Sequence, residues 1–169
     1  MENWDLFDIQ RRPLHRTCRR GEILNPGEYH MDVEIWTVDR NQNVLLTLRD
    51  PRKEAYPDKW ESTGGSALAG ETSRQAAVRE LHEETGILAA EEELTYLGTH
   101  LEHTAFMDIY LLRRDIPISQ LTMQDGETVD AKWVTLAELE TMIADHSLAL
   151  PIGEHFETVK ECFHRQLGL

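Results

Sequence analysis

Residues 65–87 read GSALAGETSRQAAVRELHEETGI, and this stretch decides the fold. Gly65 is followed after five residues by Glu71, and after seven more by Arg79-Glu80-Leu81. Glu83-Glu84 and Gly86-Ile87 close the pattern. Thr72-Ser73-Arg74-Gln75 has the form of a capping box, with Thr72 as N-cap and Gln75 reaching back. Good helix formers follow, and Gly86 stands where a left-handed residue would end the helix. The spacing therefore predicts a helix over about 73–85. At ~100° per residue, Glu80, Glu83 and Glu84 fall within roughly 100° of one face. Arg79 lies one turn before Glu83, close enough to orient its carboxylate. Val78 and Leu81 sit on the flank and anchor the helix to a core. The small Ala76 and Ala77 border the acidic face and leave room above it.

Three like charges on one face oppose folding. At ~5.5 Å and an effective dielectric of ~20, each close pair repels by roughly 3 kcal/mol. The residues alone leave three readings open. The face is solvated, or it makes ordinary salt bridges, or its oxygens coordinate Mg²⁺ or Mn²⁺ and so relieve the repulsion.

The complete spacing resembles the Nudix box, in which Gly, Glu, Arg-Glu, Glu-Glu and Gly recur at these intervals. Every specified position is filled. The resemblance covers about residues 29–145 and implies an α/β chain, an α/β/α sandwich around a mixed β-sheet. It also implies hydrolysis of a nucleoside or other diphosphate linked to a further group X. Mapped onto this chain, Glu80 and Glu84 become the expected direct metal ligands, with Glu83 beside them. A backbone carbonyl of the Gly64-Gly65 pair, here assigned to Gly65, is a further ligand. Arg79 orients a box carboxylate, and Glu71 pairs or caps. The expected catalytic group is Arg79, Glu83, Glu84 and Glu127. The general base is open among Glu83, Glu102 and Glu127.

The residues Tyr29-His30, Trp36, Arg49, Lys53 and Trp60 are similar to isopentenyl diphosphate isomerase, another Nudix-fold enzyme. That resemblance implies diphosphate contacts for Arg49 and Lys53. It departs at the box, where the isomerase carries Cys-Gly-His and this chain has Gly64-Gly65-Ser66. The only cysteines, Cys18 and Cys162, lie far away in sequence. The chain is thus expected in an isomerase-like branch of Nudix hydrolases. Isomerisation and a noncatalytic ligand sensor stand as the alternatives.

A length of 169 residues fits one domain over 1–169, with 1–28 as an N-terminal extension. The net charge of −14 argues against a nucleic-acid polymer as partner, which needs a basic surface. The expected partner is a small molecule containing a diphosphate. Two unspaced cysteines and an acidic opening, MENWDLFDIQ, point to the cytoplasm, and no apolar run is long enough for a membrane span. Five arginines stand within residues 11–20. They pair with the acidic body, or one or two of them reach substrate phosphates or a second copy in a homodimer.

Strands are expected at about 4–9, 29–39, 44–48, 60–62, 94–101, 106–112 and 129–134. In the second of these, Val33, Ile35 and Thr37 alternate with Asp32, Glu34 and Trp36. Thr135 and Glu138 form a second capping box, opening a helix with Leu136, Leu139, Met142 and Ile143 on one face. Pro151 is expected to break the chain before a last helix lined by Phe156, Val159, Phe163 and Leu167. His30 and His103 are structural hydrogen-bonders or site residues. Trp36, Tyr56, Trp60 and Phe106 either stack a base or belong to the core.

Overall fold

The structure is a computed structural model and describes residues 2–169. In chain order it contains β1 (Asn3–Phe7), β2 (Pro13–Arg19), β3 (His30–Val38), β4 (Val44–Arg49), β5 (Trp60–Glu61) and β6 (Thr63–Ser66). Then come α1 (Ser73–Thr85), β7 (Thr95–Leu101), β8 (Ala105–Arg113), β9 (Thr128–Val134), α2 (Leu136–Ala144) and α3 (Leu150–Leu167).

β3 is the spine of a mixed sheet. It runs parallel to β8 from His30↔Ala105 to Val38↔Arg113. On its other side it pairs antiparallel with β6, with Val33 opposite Gly65 and Glu34 opposite Gly64. β7 extends the sheet antiparallel to β8. β4 meets β3 only at Val38↔Val44, then diverges to pair with β9 and β5. Asp39 holds that hairpin turn, accepting from the backbone N–H groups of Asn41 and Asn43 at 2.8 Å each.

Two cores lie on the two sheet faces, as an α/β/α sandwich requires. One joins Val33, Ile35, Leu45, Tyr110 and Leu112 to Ala76, Ala77 and Leu81 of α1. The other joins Trp36, Leu46, Ile109 and Leu111 to Leu139, Phe156 and Phe163 of α2 and α3. Helices on both faces bury both sets of β3 side chains. Glu34 and Trp36, on the face opposite Val33 and Ile35, are therefore buried as well. Ala76 and Ala77 likewise do not border open space but are buried against the sheet. Their small side chains let the helix lie close to the strands.

α1 has the expected ends. Thr72 accepts from the Gln75 backbone N–H, Gln75 reaches back to Thr72, and Gly86 adopts φ 74°. Pro151 does not break the chain. It lies in the first turn of α3, where a missing N–H costs nothing. The arginine-rich segment is mostly β2, which hairpins with β1. Arg11 anchors this hairpin to the body through two bonds to buried Asp108, 2.8 and 2.7 Å.

Candidate active site

The capped α1 lies across β6, so its acidic face meets Gly64 and Gly65. Arg79 is the hub. Its Nε and Nη2 donate to the two oxygens of Glu71 at 2.8 and 2.9 Å. Its Nη1 donates to Glu80 at 2.7 Å and to Glu83 at 3.0 Å, and Nη2 also reaches the Ser66 carbonyl at 3.0 Å. These bonds occupy all five N–H groups of the guanidinium. Glu71 also accepts from the Leu68 N–H, 2.8 Å. The bond to Arg79 and then that backbone bond hold its carboxyl below the usual range. Its pairing role is the one expected.

Glu84 is treated very differently. It is buried and receives only a long contact from the Gly64 N–H, 3.4 Å. Burial pushes its carboxyl well up, and the nearby charges of Glu61 and Glu80 push it further. Burial also raises Glu80, against the pull of Arg79. A Cβ at Gly65 would collide with the Glu80 carboxylate, so glycine there leaves the space those oxygens need. Among the described residues, no three His, Cys, Asp or Glu side chains already converge as a formed metal site. Glu80 and Glu83 are instead turned onto Arg79. The donor set is nevertheless hard oxygen, in excess of its counter-charge, and fits Mg²⁺ or Mn²⁺.

These carboxylates form one wall of a cleft of about 210 Å³. Arg20, Arg49, Lys53 and Glu127 also line it, so the structure brings Arg49, Lys53 and Glu127 to the box. Lys53 pairs with Glu127. Arg49 donates to Glu61 at 2.6 Å and to the Ala55 carbonyl at 3.0 Å. Arg20 is held by Glu2 at 2.8 Å. Of the arginine patch, Arg11, Arg12 and Arg16 pair with Asp108, Asp8 and Glu28. Pairing with the acidic body thus holds for Arg11, Arg12, Arg16 and Arg20, and Arg20 also lines the cleft.

Glu102 is not brought to the box carboxylates. It accepts from His155 Nε2 at 2.8 Å in a neighbouring part of the cleft. His155 Nδ1 bonds Glu34 at 2.5 Å. Burial pulls this imidazole down, but the bonds to Glu102 and Glu34 outweigh it and raise it to about 9. Glu61 is raised to about 7, by burial against the pull of Arg49. Glu34, Glu61 and His155 were missed in the sequence. The signal was a charged or ionisable residue inside an otherwise apolar run, as in Val33-Glu34-Ile35.

Trp36 and Phe106 are core residues. Trp60 packs against the core and lies 4.1 Å from Lys132 Nζ. Tyr56 lines the cleft. His30 is buried and stacks on Trp4 at 4.2 Å, His103 is exposed, and His82 is exposed off the carboxylate face. Neither cysteine is among the residues lining the cleft.

A model of the NUDIX domain family matches residues 28–152. An uncharacterized Nudix hydrolase of Listeria monocytogenes is 39% identical over 147 residues, which is 84% of this chain and 85% of that protein. The chain belongs to the Nudix hydrolase family. A more distant relative, the CTP pyrophosphohydrolase of Escherichia coli, is 33% identical over 108 residues, 64% of this chain and 78% of that one. The crystal structure of DR0079 from Deinococcus radiodurans has the same fold. Its TM-score is 0.76 at 22% identity, covering 95% of this chain and 99% of that one. The family's α/β/α sandwich and its enzyme class, hydrolase, therefore apply here. No helix among the described residues is long and apolar enough to cross a membrane.

Proposed function

We propose that this Nudix protein is a Mg²⁺- or Mn²⁺-dependent hydrolase that cleaves the diphosphate linkage of a nucleoside diphosphate-X or a related small molecule. One observation carries the reading: the surplus of carboxylate on the cleft wall. Arg79 is saturated by Glu71, Glu80, Glu83 and Ser66, while Glu84 remains buried with a single 3.4 Å contact from an N–H. A structural salt-bridge network would match its charges. Glu80, Glu83 and Glu84, with the Gly65 carbonyl, would hold the cation. When bound, it neutralises the diphosphate and lowers the pKa of water.

The chain's own residues do the rest. Arg49, Lys53 and Arg20 lie on the cleft surface where they receive phosphate oxygens. Lys53, on moving from Glu127 to a phosphate, frees the Glu127 carboxylate as general base. The attacking water gives its proton to Glu127 and forms a bond to one phosphorus. The bridging oxygen then leaves with the other group, in line. Glu83, half-exposed beside Arg79, completes the acidic face, and the bond of Glu102 to His155 in the neighbouring part of the cleft favours Glu127 over it as base. The −14 charge supports a small-molecule substrate over a nucleic-acid polymer, and two free thiols support a cytoplasmic setting.

Phosphate release by purified protein with Mg²⁺ or Mn²⁺ tests this. The panel holds nucleoside triphosphates, nucleotide sugars, ADP-ribose, dinucleoside polyphosphates and prenyl diphosphates, with a coupled phosphatase where the product is a monoester. Turnover that Glu84→Gln abolishes is the expected result. Silence across the panel, or equal turnover by the variant, contradicts the reading.

A further inference from the structure

Past the carboxylate wall the cleft continues into a second chamber of about 240 Å³. Arg49, Gly64 and Gly65 border both parts. Three carboxylates line the chamber: Glu34, Glu61 and Glu102. His155 of α3 ties Glu34 Oε2 and Glu102 Oε1, and Arg49 ties Glu61 Oε2. After these bonds, Glu34 Oε1 and Ser62 Oγ remain buried with no hydrogen-bond partner among the described residues. Both residues are 2% exposed and both line the chamber. Buried polar groups without partners are uncommon and call for an explanation. The two residues that carry these orphans line one cavity, next to the proposed site of chemistry.

The chamber is rich in acceptors. It sets three carboxylates against two cations, with His155 held by Glu34 and Glu102 and Arg49 Nη1 by Glu61. A phosphate entering it would meet like charge and lone pairs. A hydroxyl or amino group would donate to Glu34 Oε1, and a hydroxyl would also bond Ser62. Met107 and Ile152 offer an apolar wall for the face of a ring.

We propose that this chamber receives the X group, that Glu34 and Ser62 recognise it, and that X is a non-anionic group bearing hydroxyl or amino donors. The inference rests on the hydrolase reading and narrows it. A sugar hydroxyl and a nucleobase amino group share this chemistry. A further phosphate and a bare prenyl chain lack it.

The test compares kcat/KM for four substrates: a nucleotide sugar, a dinucleoside diphosphate, a nucleoside triphosphate and a prenyl diphosphate. The first two separate the sources of the donor. Wild type should favour one of them over the triphosphate by about tenfold or more. Ser62→Ala should cut that ratio severalfold, and Glu34→Gln should cut it about tenfold. Ser62 Oγ bonds nothing among the described residues, so Ser62→Ala is expected to fold even where Glu34→Gln disturbs His155. A packing role would leave the ratio unmoved. Dissociation constants for the same compounds are measured in parallel on Glu84→Gln, with and without Ser62→Ala. Donor-dependent binding without wild-type turnover supports the chamber and strikes the hydrolase reading. Turnover with preference for the triphosphate or the prenyl compound, a ratio unchanged by both variants, or binding to none of the four overturns the inference.

Discussion

Two carboxylate clusters border the same cleft, and they are balanced to very different degrees. In the inner one, Glu34 and Glu102 face each other across His155, and one imidazolium bridges both. In the outer one, Glu71, Glu80 and Glu83 share a single guanidinium, and Glu84 pairs with no cation among the described residues. The inner cluster sets one imidazolium of α3 against two carboxylates, a surplus of one. The outer one leaves charge open toward the cleft. A buried carboxylate without a counter-charge destabilises a fold, so its retention points to a ligand that supplies the charge. The lesson is that carboxylate count says little. What identifies a site is the charge left over once each cation has been assigned.

Breaking the outer cluster should give the largest effect, and on activity. Glu84→Gln is expected to lower turnover by about 10²–10³-fold, read as phosphate release. Breaking the inner cluster should act on stability. His155→Ala strands two carboxylates and is expected to cost about 3–5 kcal/mol, measured by urea unfolding.

A pH series sharpens the contrast. The folded pKa of His155 is raised from 6.5 to about 9. Between those values the folded state keeps a proton that the unfolded chain has released. The stabilisation is whole below pH 6.5 and is lost as pH rises through 9. It amounts to on the order of 3 kcal/mol at ~1.36 kcal/mol per unit. His155→Gln should remove this part of the slope in unfolding free energy. A slope unchanged in the variant would show that the imidazole carries no bound proton. The smallest effect concerns the frame that carries the outer cluster. Thr72→Ala removes the side-chain cap of α1 and is expected to cost about 1 kcal/mol by the same unfolding assay.

These differences follow how far each feature reaches along the chain. The limits of α1, its capping box and the Arg79–Glu71 pair involve partners eight or fewer residues apart, and local chemistry specifies them. Their place was legible in residues 65–87. His155 and Glu34 are 121 residues apart, and nothing local distinguishes that glutamate from a solvent-facing one. Alternation in Val33–Val38 marks two faces without saying what covers each, and helices cover both. β2 also escaped notice, because its polar side chains are largely exposed and its pairing with β1 sets it instead. Pro151 reads as a breaker only until its place in the first turn of α3 is known.

The central claim, that the outer cluster carries uncompensated charge for a divalent cation, is tested most directly by thermal unfolding across a Mn²⁺ titration of wild type and Glu84→Gln. In metal-free buffer the variant should unfold at the higher temperature, since it loses a buried charge. Added Mn²⁺ should raise the wild type by mass action, by about 2.7 kcal/mol at a hundred times Kd, and leave the variant nearly flat, so the two curves cross. A wild type indifferent to Mn²⁺, or a variant that is less stable without metal and equally responsive to it, would contradict the account.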